Sequence, residues 1–337
     1  MTEVVSTTPG LYPLPEWAKD ELAGMKGRQK GGLVSGSESE AVAAAYERAR
    51  EEVLGLQTEA GLDLPVEGQL RWDDMLAHPL AVSDAVDTRG IVRYYDNNNF
   101  YREPVVTDDL TATGDVAAEL AAAEEFVDDG LNAVLPGPWT LADLASDEHY
   151  GDEAAFLDAI AAFLAAEIEQ FPDVETLFLL EPSLLESPPG DGPDERASEA
   201  IDTVADAADA DVVAHTYWES HGGDGNIDEK VYAHLLDADI EAVGFDFVAN
   251  HEDTAYVVGE YGCTDDVALG VVNGKNTRVE SPEEITDRVE WALSNTPGTD
   301  FETVYATVNA PTFYLPSTTF EEKLAALGSI ARTEVTA

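Results

Sequence analysis

The chain has 337 residues, enough for one large α/β barrel or two ordinary domains, and 44% of them are apolar, enough to build a real core. Its 17 basic and 69 acidic residues leave a formal net charge of −52, a field that repels nucleic-acid phosphates and anionic lipid surfaces and excludes both as partners. A lone cysteine, Cys263, excludes an intrachain disulfide.

The acidic residues are spread along the whole chain, and their mutual repulsion destabilises a compact state in dilute buffer. Molar salt shortens the Debye length to roughly 3 Å and removes most of that penalty, so the composition points to a salt-rich cytoplasm. Met1 to Gly10 has neither the basic nor the apolar region of a secretion signal. No run approaches the roughly 18 to 20 apolar residues of a membrane span. The expectation is a soluble, cytoplasmic protein.

In chain order, Val4 to Pro9 reads as a short strand, followed by a glycine-rich loop from Gly24 to Gly36. That loop gathers Lys26, Arg28 and Lys30 within five positions, a candidate anion site in a chain short of cations. Apolar positions Val42, Ala45, Ala49, Val53 and Leu56 at spacings of three and four predict a helix over Glu38 to Glu59, with Ser37 or Ser39 as its cap. Leu64 to Gly68 reads as a short strand ending in Glu67. Residues 76–110 are expected to form a long irregular insertion, with Ile91 to Tyr95 as a possible hairpin strand and Asp96 to Asn99 as a turn.

From residue 115 the rhythm is regular, strands near residues 134, 178, 213, 244, 269 and 305 alternating with helices. With those near 5 and 65 they make eight. Ser281-Pro282-Glu283-Glu284 is a helix start, with serine as cap and proline in the first turn. Eight strands alternating with helices predict a single (β/α)8 barrel over residues 1–337. The alternative is a doubly wound open sheet, but no dinucleotide- or phosphate-binding glycine motif follows the first strands.

A barrel collects the C-terminal ends of its strands at one mouth, where ligands and catalytic groups sit. Those ends are Glu67, Trp139, Glu181, His215, Asp246, Asn273 with Lys275, and Asn309. The polar ring suits a small polar ligand. His215 and Asp246, on neighbouring strands, are the candidate catalytic pair, although neither Thr216 nor Ser220 lies in a nucleophile elbow. As metal ligands they are two where zinc takes three or four, with His221 and His251 as possible loop additions.

Five segments in order carry a resemblance. They are Glu67 to Met75, Pro136-Gly137-Pro138-Trp139-Thr140, Leu180-Glu181-Pro182-Ser183-Leu184, Leu269 to Asn273 with Arg278 to Ile285, and Val308-Asn309-Ala310-Pro311. Together they resemble the motifs of the cobalamin-independent methionine synthases, above all the single-barrel archaeal form. The related uroporphyrinogen decarboxylase type of barrel, which needs no metal, fits the Val279 to Glu284 stretch less well.

The resemblance implies methyl transfer to homocysteine from a folate or a methylated corrinoid. It also implies a zinc site built from histidine, two cysteines and usually glutamate. His215 falls on the histidine position, Asp246 on the glutamate, Tyr217 on the first cysteine, and Thr312 or Phe313 on the second. The family's zinc site is therefore not expected on this chain alone. Glu67 and Glu181 fall where the family binds the amino-acid substrate or supports the site, with Trp139 and Asn309 beside them. By the same resemblance, Lys26, Arg28 and Lys30 would take an anionic tail. Two outcomes follow from it: a methyltransferase completed by a zinc-bearing homologous chain, or a non-catalytic partner barrel binding folate or amino acid.

Overall fold

The computed structural model describes residues 2–23, 37–94, 100–127, 130–216, 228–296 and 300–330. Ten strands are present among them: β1 (Glu3–Ser6), β2 (Val86–Arg93), β3 (Phe100–Val106), β4 (Asn132–Pro136), β5 (Ser146–Asp147), β6 (Thr176–Leu180), β7 (Asp211–His215), β8 (Ala242–Asp246), β9 (Asp266–Val272) and β10 (Thr303–Val308). Seven of them form one sheet in the order β1-β10-β9-β8-β7-β6-β4. Every pairing in it is parallel.

The eighth stave is the segment expected near residue 65. It is a strand reduced to one bridge, Val66 with Asn132, because Pro65 has no N–H to give. Its carbonyl still accepts from Asn132 N at 2.9 Å, while Leu64 N donates to Ser6 O at 3.1 Å. Thr7 Oγ1 donates to Leu64 O at 2.9 Å. The segment thus joins β4 to β1 and closes a (β/α)8 barrel.

The strands are apolar because both their faces are covered, one by the lumen and one by helices. β4, β6 and β8 are buried at every residue. Along the lumen, the Phe178 ring lies 6.2 Å from Tyr305 and 6.0 Å from His215, so one aromatic column runs up to the mouth. The helices start where their caps dictate. Asp152 accepts from Ala155 N, Asp228 from Lys230 N and Val231 N, and Ser281 and Glu284 form the full capping box before Pro282–Asn295.

Residues 76–110 are more regular than expected. β2 and β3 form an antiparallel hairpin that β5 extends into a separate three-stranded sheet. Its alternation is hidden in sequence by a bulge, Arg89 and Gly90 together facing Glu103 between the Thr88–Pro104 and Ile91–Arg102 pairs. The Asp96 to Asn99 turn lies outside the described residues. After β4 a helix runs Pro138–Leu144, and Ser146–Asp147 joins β3. Asp147 then turns the chain by accepting from the N–H groups of His149, Tyr150 and Gly151. Four helices had no counterpart in the sequence reading, Glu16–Leu22, His78–Ala81, Ser183–Glu186 and His251–Tyr261.

Candidate functional site

The strand ends converge at the C-terminal mouth, and two interlocked turns form one side of it. Gly10 and Leu11 have φ of 71° and 57°, and Gly68 and Gln69 have 93° and 52°. Leu11 and Gln69 hold a left-handed conformation that side chains disfavour, and each turn fixes the other. Gln69 Oε1 accepts from Leu11 N at 2.8 Å, and Tyr12 N donates to Gly68 O at 3.0 Å. A Cβ on Gly10 would sit 1.9 Å from Gln69 Oε1, so glycine alone fits there.

Glu67 is buried, but it turns toward helix Glu40–Ala60. Arg50 Nε donates to its Oε1 at 3.3 Å and Gln69 N to its Oε2 at 2.7 Å. Arg50 also pairs with Glu119, and Arg71 joins Glu38 and Asp115 at 2.8 and 2.9 Å. Burial, with the Glu119 charge behind it, pushes the Glu67 carboxyl up from its ordinary range. Arg50 and Arg71 border a cleft of about 250 Å³ between helices Glu40–Ala60 and Asp115–Glu124, on the flank of the barrel.

Glu181 is fully buried beneath the next helix. Its Oε1 accepts from Trp139 N at 2.9 Å, and its Oε2 from Thr140 N and Thr140 Oγ1 at 2.8 and 2.7 Å. It therefore caps Pro138–Leu144 from a distance, in contact with the backbone that Gly137 leaves open. Desolvation raises its carboxyl to about 7. Trp139 is half-buried, and its Nε1 donates to Ser187 O at 3.2 Å.

His215 is buried at the end of β7, and burial pushes its imidazole down to about 3, so it is neutral at physiological pH. Register places His215 beside Gly244, two residues before Asp246 on the neighbouring strand. Asp246 is held by three donors. Val248 N and Ala249 N reach its Oδ1 at 2.8 and 3.0 Å, and Asn309 Nδ2 reaches its Oδ2 at 3.1 Å. Asn309 Oδ1 in turn accepts from Gly274 N at 2.9 Å.

The structure thus brings His215, Asp246 and Asn309 to one arc of the mouth, while Glu67 and Glu181 accept hydrogen bonds from Arg50, Gln69, Trp139 and Thr140. His251 is not a loop residue; it opens helix His251–Tyr261, its ring 4.8 Å from Trp291. Lys26, Arg28, Lys30, Tyr217, Ser220 and His221 lie outside the described residues.

Asn132 Oδ1, Thr307 Oγ1 and Thr312 Oγ1 are buried and make no hydrogen bond among the described residues. Sequence reading named Thr312 but missed Asn132 and Thr307. Strand alternation puts Asn132 and Thr307 on the lumen side, which was the available signal. Cys263 lies between helix His251–Tyr261 and the start of β9, at the N-terminal end of the strands. That is the end of the barrel opposite the mouth.

A closed parallel barrel with a histidine, an aspartate and an asparagine at its strand ends has the (β/α)8 architecture. Residues 7–305 match the family model described as "Cobalamin-independent synthase, Catalytic domain". The chain belongs to that family.

A methionine synthase of Saccharolobus islandicus (strain L.S.2.15 / Lassen #1) is 22% identical over 293 residues, covering 86% of this chain and 82% of that protein. One from Saccharolobus solfataricus is 22% identical over 305 residues, covering 87% and 84%. Among solved structures, a B12-independent methionine synthase from Shewanella sp. W3-18-1 in complex with selenomethionine superposes with a TM-score of 0.77. It shares 19% identity, and the match covers 97% of this chain and 96% of that one. A putative vitamin-B12-independent methionine synthase from Listeria monocytogenes gives 0.67 at 17% identity, covering 98% of each. No helix among the described residues is long and apolar enough to cross a membrane.

Proposed function

We propose that this chain takes part in methyl transfer to homocysteine, giving methionine, and that it does so with a zinc-bearing homologous chain. Family membership supports the reaction class. The place of Cys263, the chain's one thiol, carries the partner reading: it sits at the end of the barrel away from His215.

The donors at the mouth do not fit a catalytic zinc. His215 offers one neutral imidazole, Asp246 already takes three hydrogen bonds, and Thr312 has a hydroxyl where a thiolate is wanted. On this reading His215, Asp246 and Asn309 line a pocket for the amino-acid substrate or the methyl donor, a folate or a methylcorrinoid. Lys26, Arg28 and Lys30 take an anionic part of the donor. Activation of the homocysteine thiol belongs to the homologous chain. The barrel works in a cytoplasm of high salt, to which its charge of −52 is suited.

The test is zinc content per chain after purification in high salt, alone and mixed with a zinc-bearing homologue. Absence of zinc from the isolated chain, with a stable complex that turns over homocysteine, is the expected result. One zinc per isolated chain, lost on His215→Ala, would overturn the partner reading and make the chain an independent enzyme.

A further inference from the structure

The cleft on the barrel's flank, between helices Glu40–Ala60 and Asp115–Glu124, is built around a network of ion pairs. Arg50 meets Glu67 and Glu119, and Arg71 meets Glu38 and Asp115. Two guanidiniums thus stand against four carboxylates. The network has an excess of two negative charges, or of one when buried Glu67 holds a proton. In either state the cleft favours a cation.

Three oxygens of residues lining the cleft are left without a donor among the described residues. Arg71 gives both Nε and Nη2 to the same oxygen of Glu38, at 3.0 and 2.8 Å, so Glu38 Oε2 is buried with no hydrogen bond. Glu119 accepts from Arg50 through Oε2, while its Oε1 lies 4.0 Å from Arg71, beyond hydrogen-bond range. Tyr46 is 5% exposed and sits among the charges of Arg71, Glu38 and Glu119, yet its hydroxyl makes no hydrogen bond. Buried polar groups ordinarily have partners, and a set of them without one, around an open volume, marks a place for a ligand.

An ammonium group brings three N–H donors, one positive charge and no acceptor. It complements these three oxygens. The cleft's volume of about 250 Å³ equals roughly eight waters at about 30 Å³ each, more than a lone monovalent ion fills. Tyr46 and Phe126 add aromatic surface for an alkyl chain and for the charge itself. We propose that this cleft binds small primary alkylamines by their ammonium group, with Glu38 Oε2, Glu119 Oε1 and Tyr46 Oη as acceptors and Phe126 against the chain. The site is separate from the mouth and does not rest on the reading given for it. Screening weakens exposed charges far more than partly buried contacts, so binding persists in the salt this chain is suited to.

Titration of the full chain with n-butylammonium in about 1 M NaCl, followed by broadening of the amine's proton resonances, tests it. Saturable binding with a Kd in the region of about 1 mM is expected. Tetramethylammonium, which has the charge but no N–H, should bind at least about tenfold more weakly. Glu38→Gln should weaken butylammonium about tenfold, and Tyr46→Phe about threefold to fivefold. Glu38→Gln also disturbs Arg71, whereas Tyr46→Phe removes one oxygen that holds nothing, so the second variant keeps the test independent of folding. Absence of saturable binding to wild type overturns the proposal and means that water alone serves these oxygens. Equal binding of tetramethylammonium, or wild-type affinity in both variants, overturns it as well. Loss of butylammonium binding when KCl replaces NaCl would make the cleft a potassium site and overturn it too.

Discussion

Glu280 and Lys323 form an ion pair at 2.9 Å with each side chain 1% exposed. Lys323 also donates to the Arg278 carbonyl, and Glu280 Oε1 accepts from Asn273 N at 3.1 Å. The pair therefore ties the final helix, Ser317–Leu327, to the loop after β9, whose Gly274 bonds to Asn309. Asp246 is the next link.

Removing one member leaves the other buried and charged, which costs about 3–5 kcal/mol. Lys323→Met and Glu280→Leu should each destabilise by that amount in urea titrations at high salt, and the double variant by much less than the sum. A loss below about 1 kcal/mol from either single change would show that the pair is solvated in practice.

Gly274 and Gly55 should respond in opposite ways to alanine. A Cβ on Gly274 would lie 1.9 Å from the Ala310 carbonyl oxygen, backbone against backbone. Gly274→Ala must push β9 and β10 ends apart, a cost of about 1–3 kcal/mol, and should loosen Asn309. Gly55, inside helix Glu40–Ala60, has nothing within 4 Å, and Gly55→Ala should stabilise by about 0.5–1 kcal/mol. Chemical denaturation of both variants decides it.

Two buried groups give stability opposite dependences on pH. His215 has a folded pKa of about 3, below its ordinary 6.5, so it contributes stability above pH 6.5 that is lost as pH falls toward 3. Glu181 is raised from 4.5 to about 7, so its contribution is present below pH 4.5 and lost as pH rises through 7. The His215→Gln variant should lose less stability than wild type between pH 6.5 and 3. Glu181→Gln should flatten the fall between 4.5 and 7, although the amide also forfeits acceptors facing Trp139 and Thr140. Thermal melts at fixed salt across this range measure both, and parallel profiles for wild type and variants would refute the assignment.

With a net charge of −52, stability should climb steeply with salt and then level off. Raising KCl from about 0.1 to 2 M should raise Tm more in wild type than in variants with acidic surface residues changed to asparagine or glutamine. Equal shifts would mean that salt acts through apolar burial and not through charge.

The barrel was legible because strands covered on both faces are short apolar runs, and all eight fall where those runs lie. What the hairpin hid was its bulge, and what hid helix His251–Tyr261 was its polar run from Glu252 to Thr254 and its Gly259. The strand-end residues were visible as a set, but their work was not. Glu67, Glu181 and Asp246 look alike in sequence as carboxylates ending strands. Beside local donors at Gln69, Val248 and Ala249, each has a distant partner: 17 residues away at Arg50, more than 40 away at Trp139, and 63 away at Asn309. A reading by local pattern cannot see the distant donors. Only the packed fold brings them in.

β1 pairs with β10, and Thr2 Oγ1 donates to the carbonyl of Phe301, 299 residues on. During synthesis the barrel therefore stays open at β1 until nearly the whole chain has left the ribosome. A parallel sheet with so distant a closure folds slowly and exposes its strands meanwhile. Mutual repulsion among acidic nascent chains keeps such open sheets apart, so the composition that burdens the finished protein also guards its assembly.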